Sequence, residues 1–522
     1  MESPGRGADV DVVVVGAGLA GLTTARELLK RDEALKIVII EARDRVGGRT
    51  LTLPVKVKGG KVEYFDFGAQ WVGPTQHHVL KLIEEFKLKT HPQFCEGTKL
   101  MQMTRGEIQT YEADLPTVGS PWAYDEHKRL MQKLEKMAQM VRMDDPYASP
   151  LALQLTGVTV KVFGDLHLQS RAARSYLDQM SKGCFGVDAA SMPMLFFLAY
   201  ANAAGGVEPL FGLKDAAQDC GVQGGTQQLS KRLALLVGHE KILLSHAVVA
   251  VRQDSESRNV LVECRQVDDK TNEIVGDLKR FTCKKVVITT PPRLTTKITF
   301  TPELPVLKKE LYDNMRMGHL YKFLVTYEQR HWCNKGFSGE YFSNGGHKLN
   351  VECSTGPILE VYDVTTPTGA PAIVGFLGGR QSLELRQKSK QERGMAVIEG
   401  LVLAFGPEMR AYIAYEDKMW GDDPWAGGCP CAYAAPGDYH AWPHIRTPHG
   451  DVHFAGTETA TVWMGYMSGA IQSGERAACE VLADLRPQLV SQAEALQARD
   501  ARNVRGQFLL EPEDVVIGKS SL

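Results

Sequence analysis

The sequence has little cysteine, 10 residues in 522. That is too sparse for a disulfide scaffold, and no C-x-x-C pair is present to suggest a zinc ribbon or a thioredoxin-type motif. It also lacks an excess of either charge: Lys plus Arg is 60, Asp plus Glu is 62, and the net charge is −2. Without a basic surplus there is little to displace counterions from a phosphate backbone, which excludes bulk nucleic-acid binding. No run of ~18 apolar residues could span a membrane as a helix. The nearest is 192–204 (MPMLFFLAYANAA), which reads as a buried core helix. The start, MESPGRGADVD, has no basic-then-apolar layout of a signal peptide, and no N-x-[ST] sequon occurs. Neither G-x-S-x-G nor H-E-x-x-H is found, so no serine-hydrolase or metallohydrolase signature competes. Hydrophobic residues at 43% and charged residues at 23% are ordinary for a globular protein and exclude disorder, collagen and coiled coil. The expectation is a soluble, intracellular, reduced protein of two large domains or about three smaller ones.

What is present begins at once. Residues 10–16 (VDVVVVG) form a nearly unbroken β-branched run, the pattern of a strand buried on both faces in a parallel sheet. Gly16-x-Gly18-x-x-Gly21 follows and opens a helix to about Lys30. A second apolar strand, 36–40 (KIVII), ends at Glu41, twenty positions after Gly21. Gly16 permits the tight turn, Gly18 lets the backbone approach a pyrophosphate, and Gly21 lets helix and strand pack closely. The helix N-terminus offers free N–H groups to phosphates, and Glu41 can accept ribose hydroxyls. Strand, helix and acid in this order predict dinucleotide binding. Next, 41–50 (EARDRVGGRT) carries Arg43 and a Gly-Gly-Arg49 run that can lay more backbone and a guanidinium on the same pyrophosphate.

Further along, 126–150 has helical periodicity with a proline stop. Residues 243–266 read as an antiparallel hairpin, and 285–289 (KVVIT) as a buried strand closed by Pro291-Pro292. Residues 486–522 form a polar tail, and nothing repeats.

The 41–50 stretch resembles the signature of the flavin amine oxidase superfamily, and the C-terminal third narrows this to monoamine oxidases. Residues 451–470 (DVHFAGTETATVWMGYMSGA) are similar to that family's flavin-closing segment. Residues 66–76 (DFGAQWVGPTQ), with Gly68, resemble the segment lining the flavin ring. Val248 matches a position whose backbone meets adenine. Pro291-Pro292-x-x-x-x-Lys297 resembles the loop carrying the flavin lysine, and 420–437 (WGDDPWAGGCPCAYAAPG) resembles the Trp…GGC…PPG stretch.

The resemblance implies a mixed α/β fold: a Rossmann-like FAD-binding domain (1–90, 220–300 and 396–485) interleaved with a substrate domain on a mixed sheet and helices (91–219 and 301–395). It implies FAD attached through an 8α-thioether to Cys429, with Cys431 as the alternative thiol. Glu458 would bind a cofactor ribityl or phosphate group, and helix N–H groups near Met467 would stabilise the reduced ring. Lys297, if partly buried, would favour electron transfer to oxygen. Tyr466 would form one wall of the aromatic cage and Trp420 would lie at the flavin edge. Gln218, Cys184 and Phe211 would line the substrate pocket. The opposite cage wall, a tyrosine in the family, is Pro430 here, so that wall is missing unless Tyr433 or Trp463 moves in.

The implied reaction is oxidative deamination of a primary or secondary amine to an imine and then an aldehyde, with O2 reduced to H2O2. Its partners are an amine and O2, with no nucleic acid, no transmembrane anchor and a homodimer as the assembly to test. The alternatives are a polyamine, diamine, histone-lysine or L-amino acid oxidase, the diamine option being kept alive by Trp71, or a low-turnover flavin-binding redox protein. Expected location is cytoplasmic, with the peroxisome as alternative because the chain ends Ser-Ser-Leu.

Overall fold

The structure is a computed structural model that describes residues 8–103, 108–112, 120–254, 256–344 and 357–500. The terminal Ser-Ser-Leu lies outside these residues.

Val12–Val15 is the centre of a parallel sheet in the order Ile242–Leu243, Ile37–Ile40, Val12–Val15, Lys285–Ile288, Val452–Phe454. All four valines are buried, Val12 and Val14 in one apolar cluster and Val13 and Val15 in another. The continuous β-branched run therefore has a core on each face. Helix Leu19–Arg31 covers one side and packs on helix Met467–Leu485, which starts some 450 residues later in the chain. The expected hairpin is His246–Asp254 against Asn259–Val267, in a five-stranded sheet beside the first.

The second large body is a seven-stranded sheet. Its order is Tyr412–Met419, Tyr321–Tyr327, Ala372–Leu377, Glu360–Asp363, Phe337–Ser343, Thr98–Gln102, Gln109–Tyr111. Registers align one row across it: Lys418, Lys322, Phe376, Glu360, Phe342 and Met101 are successive cross-strand partners. Directly opposed residues share a face, so this row presents its side chains to one side. That side is the cavity described below.

Two expectations need correction. Helix Lys390–Phe405 and strand Tyr412–Met419 pack on and pair with the seven-stranded sheet, although 396–485 was expected to belong wholly to the cofactor domain. The helix expected over 126–150 is Pro121–Gln139. It starts where Ser120 accepts from the Ala123 N–H with proline at the first turn, and the Asp-Asp-Pro segment lies beyond its end. The tail is helical at its start, Gln492–Asp500, held by an Arg31–Glu494 ion pair of 2.6 Å. Residues 192–204 do contain a buried helix, Met194–Ala203, and among the described residues no helix is long and apolar enough to cross a membrane.

The two bodies meet through Gly318. Its N–H donates to Cys431 O at 3.3 Å and its carbonyl accepts from the Cys429 N–H at 3.0 Å. A Cβ on this residue would overlap the Phe185 carbonyl oxygen and crowd that of Cys429. Gly318→Ala is expected to destabilise the fold by about 2 kcal/mol, as overpacking against fixed backbone does. A thermal melt unchanged from wild type would contradict this close approach.

Candidate active site

A cavity of about 390 Å³ joins the two bodies, running from Gly16, Gly18, Glu41, Arg43 and Val248 at one end to Cys429, Tyr466 and Met467 at the other. At the first end, helix Leu19–Arg31 begins at Gly18 with no side-chain cap, so its first N–H groups are open to a ligand. Gly21 has no alternative, because a Cβ there would overlap the Gly16 carbonyl oxygen. Glu41 accepts from the Ala17 N–H at 2.7 Å and the Arg43 N–H at 3.0 Å, which fixes its carboxylate at the strand end. Arg43 is paired with Asp423 at 2.7 Å. Val248 sits at a bulge in its strand and lines the cavity.

At the other end, helix Met467–Leu485 starts behind Tyr466, again without a side-chain cap. Two uncapped helix N-termini facing one elongated cavity suit a molecule with an anionic middle and a planar, electron-accepting end. The residues present fit FAD.

The Arg49 guanidinium does not stand free. It forms a two-pronged pair with Glu458 at 2.7 and 3.1 Å and donates to Pro430 O at 2.7 Å. Glu458 also accepts from the Ala432 N–H at 3.2 Å, is 1% exposed and does not line the cavity. The expectation that Glu458 binds a cofactor ribityl or phosphate group is therefore corrected: its carboxylate is spent on Arg49, and a carboxylate would repel a phosphate. Its observed work is to staple the 41–50 loop to the Cys429 segment.

Among the described residues two lysines line the cavity. Lys297 is exposed, beyond the turn after Pro291-Pro292, at the rim of the cavity. The buried one of the two is Lys322, 3% exposed, in the largely apolar strand Tyr321–Tyr327. Its Nζ donates to Gly68 O at 3.1 Å and Gln70 Oε1 at 2.7 Å, and lies 5.5 Å from the Trp71 ring and 5.4 Å from that of Phe376. Burial lowers its pKa to about 8, opposed by the negative charge of Asp66. Asp66 in turn is raised to about 6 by burial, although Thr52 and Thr226 hydrogen-bond it. A charged residue inside a largely apolar strand was the signal for Lys322 in the sequence, which the proline spacing did not find.

Cys429 lines the cavity, its thiol donating to Leu320 O at 3.4 Å, and burial pushes its pKa up to about 12 while Arg49 and Lys322 oppose the rise. Cys431 is fully buried and does not line the cavity. Trp420 donates its indole N–H to Phe67 O at 2.8 Å and offers an edge to the cavity.

Tyr466 forms one wall of the second end, packed against Tyr200 and Trp463. Pro430 also lines the cavity, while neither Tyr433 nor Trp463 does. Tyr433 is tied into a two-stranded ladder with Arg316, and the Trp463 indole N–H is held by Thr75 O. Cys184, Phe211 and Gln218 all line this end, and the buried Gln218 Oε1 has no hydrogen-bond partner among the described residues. Trp71, Tyr176, Gln179, Glu360, Tyr362 and Phe376 join them, and only Trp71 was singled out from the sequence.

A sequence profile for the family described as flavin containing amine oxidoreductase matches residues 19–482. Flavin-containing amine oxidase B of Bos taurus is 33% identical over 475 residues, covering 90% of this chain and 86% of the relative. A putrescine oxidase triple mutant from a structure-based redesign of cofactor binding superposes with a TM-score of 0.82 at 28% identity, covering 91% of this chain and 99% of that one. Cyclohexylamine oxidase from Brevibacterium oxydans superposes with a TM-score of 0.80 at 28% identity and the same coverage.

The Arg49–Glu458 staple gives a test independent of turnover. Glu458→Ala leaves the part-buried Arg49 guanidinium with the Pro430 carbonyl but no carboxylate and is expected to cost about 1–3 kcal/mol. Glu458→Gln, which keeps one acceptor, should lose less. Equal, small losses in chemical unfolding would remove the staple from the account.

Proposed function

The chain belongs to the flavin-containing amine oxidoreductase family and is an FAD-dependent amine oxidase, and we propose that it deaminates primary amines by way of an imine that hydrolyses to aldehyde, with O2 as final acceptor and H2O2 as product. The observation that supports this most is one continuous cavity carrying the dinucleotide cradle at one end and Lys322, Cys429 and Tyr466 at the other. FAD, when bound, supplies the two-electron acceptor. The turn at Gly16–Gly21 and its helix would hold the pyrophosphate, Glu41 would accept the ribose hydroxyls, and Cys429 would carry the 8α-thioether. Lys322, a cation in a dry site, holds positive charge where electrons leave for oxygen.

Trp71, Phe376, Phe342 and Tyr466 give the cavity aromatic walls. A dry pocket favours the neutral amine, and only the neutral form has a lone pair to release. Tyr466 orients that lone pair, and with Pro430 opposite, the pocket selects by its depth more than by an aromatic sandwich. An L-amino acid oxidase reading is disfavoured. Among the described residues the cavity's arginines are Arg43 and Arg49, both held by carboxylates, and neither is free to take a substrate carboxylate.

The test uses the purified holoenzyme. Anaerobic mixing with a panel of primary amines should bleach the flavin bands, and aerobic turnover should yield one peroxide per amine consumed. Acid precipitation should leave the yellow colour with the polypeptide in wild type and Cys431→Ala, and release it in Cys429→Ala. A spectrum that no amine changes would overturn the oxidase reading; colour released from wild type would overturn the attachment alone.

A further inference from the structure

Ile274 and Trp425 line the cavity but belong neither to the phosphate turn nor to the reaction end. Backbone pairing places Ile274 near the ribose-binding acid. The Glu41 carbonyl accepts from the His246 N–H at 2.9 Å, and the Arg43 carbonyl accepts from the Ser245 N–H at 2.9 Å. The strand that carries Val248 therefore starts beside Glu41. The Val267 N–H donates to Ser245 O at 2.8 Å, and Val267 is directly opposite Ile274. Ile274 thus lies two strand spacings from Ser245, roughly 10 Å, in a row that begins at Arg43.

Trp425 reaches the same end by another route. Asp423 Oδ1 pairs with Arg43 at 2.7 Å and also accepts from the Trp425 backbone N–H at 3.0 Å. The Trp425 indole N–H then donates to Asn272 Oδ1 at 3.2 Å. Arg43, Asp423, Trp425 and Asn272 are therefore joined in series, and Asn272 is two residues from Ile274.

The hairpin tip is built to present that amide. Asp268 Oδ1 accepts from the Lys270 and Thr271 N–H groups, both at 2.9 Å, and the Asn272 N–H donates to Asp268 O at 2.7 Å. Asn272 has a φ of 59°, a left-handed conformation that asparagine adopts more readily than most residues. Ile274 is 43% exposed although it lines the cavity, so its apolar surface is only partly covered by protein. An indole and a branched aliphatic side chain at this end offer apolar surface to a planar base, whose π-faces bind by stacking. The Gly16–Gly21 turn and Glu41 serve the pyrophosphate and ribose and leave the base to other groups.

We propose that Trp425 and Ile274 form a clasp on the adenine of FAD, latched by the Trp425–Asn272 hydrogen bond, and that this clasp sets how fast the cofactor leaves. The proposal rests on the FAD reading and adds a hairpin tip to the residues that hold the cofactor. The latch is one neutral hydrogen bond at an exposed position, so it opens and closes reversibly. Trp425, Ile274 and Asn272 are cofactor-retaining residues and take no part in electron or proton transfer.

The test uses the Cys429→Ala chain loaded with FAD, in which no thioether can hold the flavin, and follows FAD release on dilution by flavin fluorescence. Adding Trp425→Ala should speed release by about 10-fold or more, as loss of a stacking surface does. Trp425→Phe keeps a ring and loses the indole N–H, while Asn272→Gly keeps the left-handed turn and loses the amide. Each should speed release by about 3-fold, and the two combined should be no faster than either alone, because they remove the same bond. Release from Trp425→Ala at the parental rate overturns the clasp, and effects of Trp425→Phe and Asn272→Gly that multiply overturn the latch. If Trp425→Ala also lowers the melting temperature of the apoprotein, the Trp425→Phe and Asn272→Gly pair decides. A Cys429→Ala chain that takes up no FAD would sink the cofactor reading beneath the proposal, whereas equal retention of FAD by every variant sinks the clasp alone.

Discussion

A single buried cation organises the site. Lys322 is held within an apolar strand by one backbone carbonyl, one side-chain amide and two aromatic faces, with the Asp66 carboxylate as its electrostatic counterweight. Removing an ammonium from water costs several kcal/mol, so the surrounding groups must be in place before the charge can be. Gly68 must lack a side chain for its carbonyl to present to Lys322, because a Cβ there would overlap the Arg49 carbonyl oxygen. The same 49–51 segment carries Arg49 to Glu458 and Pro430. The lysine, the phosphate loop and the cysteine segment are therefore one mechanical unit drawn from three distant parts of the chain.

That unit explains why the two bodies interleave. The parallel sheet provides a strand end and helix N-termini for a dinucleotide. The seven-stranded sheet provides a flat face on which lysine, phenylalanine and glutamate line up in register. Neither alone makes a reaction site; the cavity exists only where the 41–50 loop, the Cys429 segment and helix Met467–Leu485 close against that face. Pro430 and Tyr466 both line this cavity, while Tyr433 and Trp463 stay outside it.

The cofactor end was legible in the sequence because its requirements are local. A turn that excludes side chains, a helix start and an acid at a strand end are written within residues 12–41. The reaction end was only partly legible. Cys429, Tyr466, Gln218, Cys184 and Phe211 do face the cavity. Glu458 was misread because its partner, Arg49, is 409 residues away and decides what the carboxylate can do. Lys297 does reach the cavity but is exposed at its rim, because spacing after a proline pair says nothing of burial.

The central claim, that Lys322 is the cation serving oxygen, is tested most directly by the pH dependence of flavin reoxidation after anaerobic reduction by substrate. With its pKa lowered to about 8 by burial, Lys322 is charged below that value and neutral above it. The reoxidation rate of the holoenzyme should therefore be high at pH 7 and fall as pH rises through about 8. Lys322→Met should be slow, by 10-fold or more, and flat across the same range, while Lys297→Met should follow wild type. A wild-type rate with no inflection, or a Lys322→Met enzyme that reoxidises like wild type, would contradict the account.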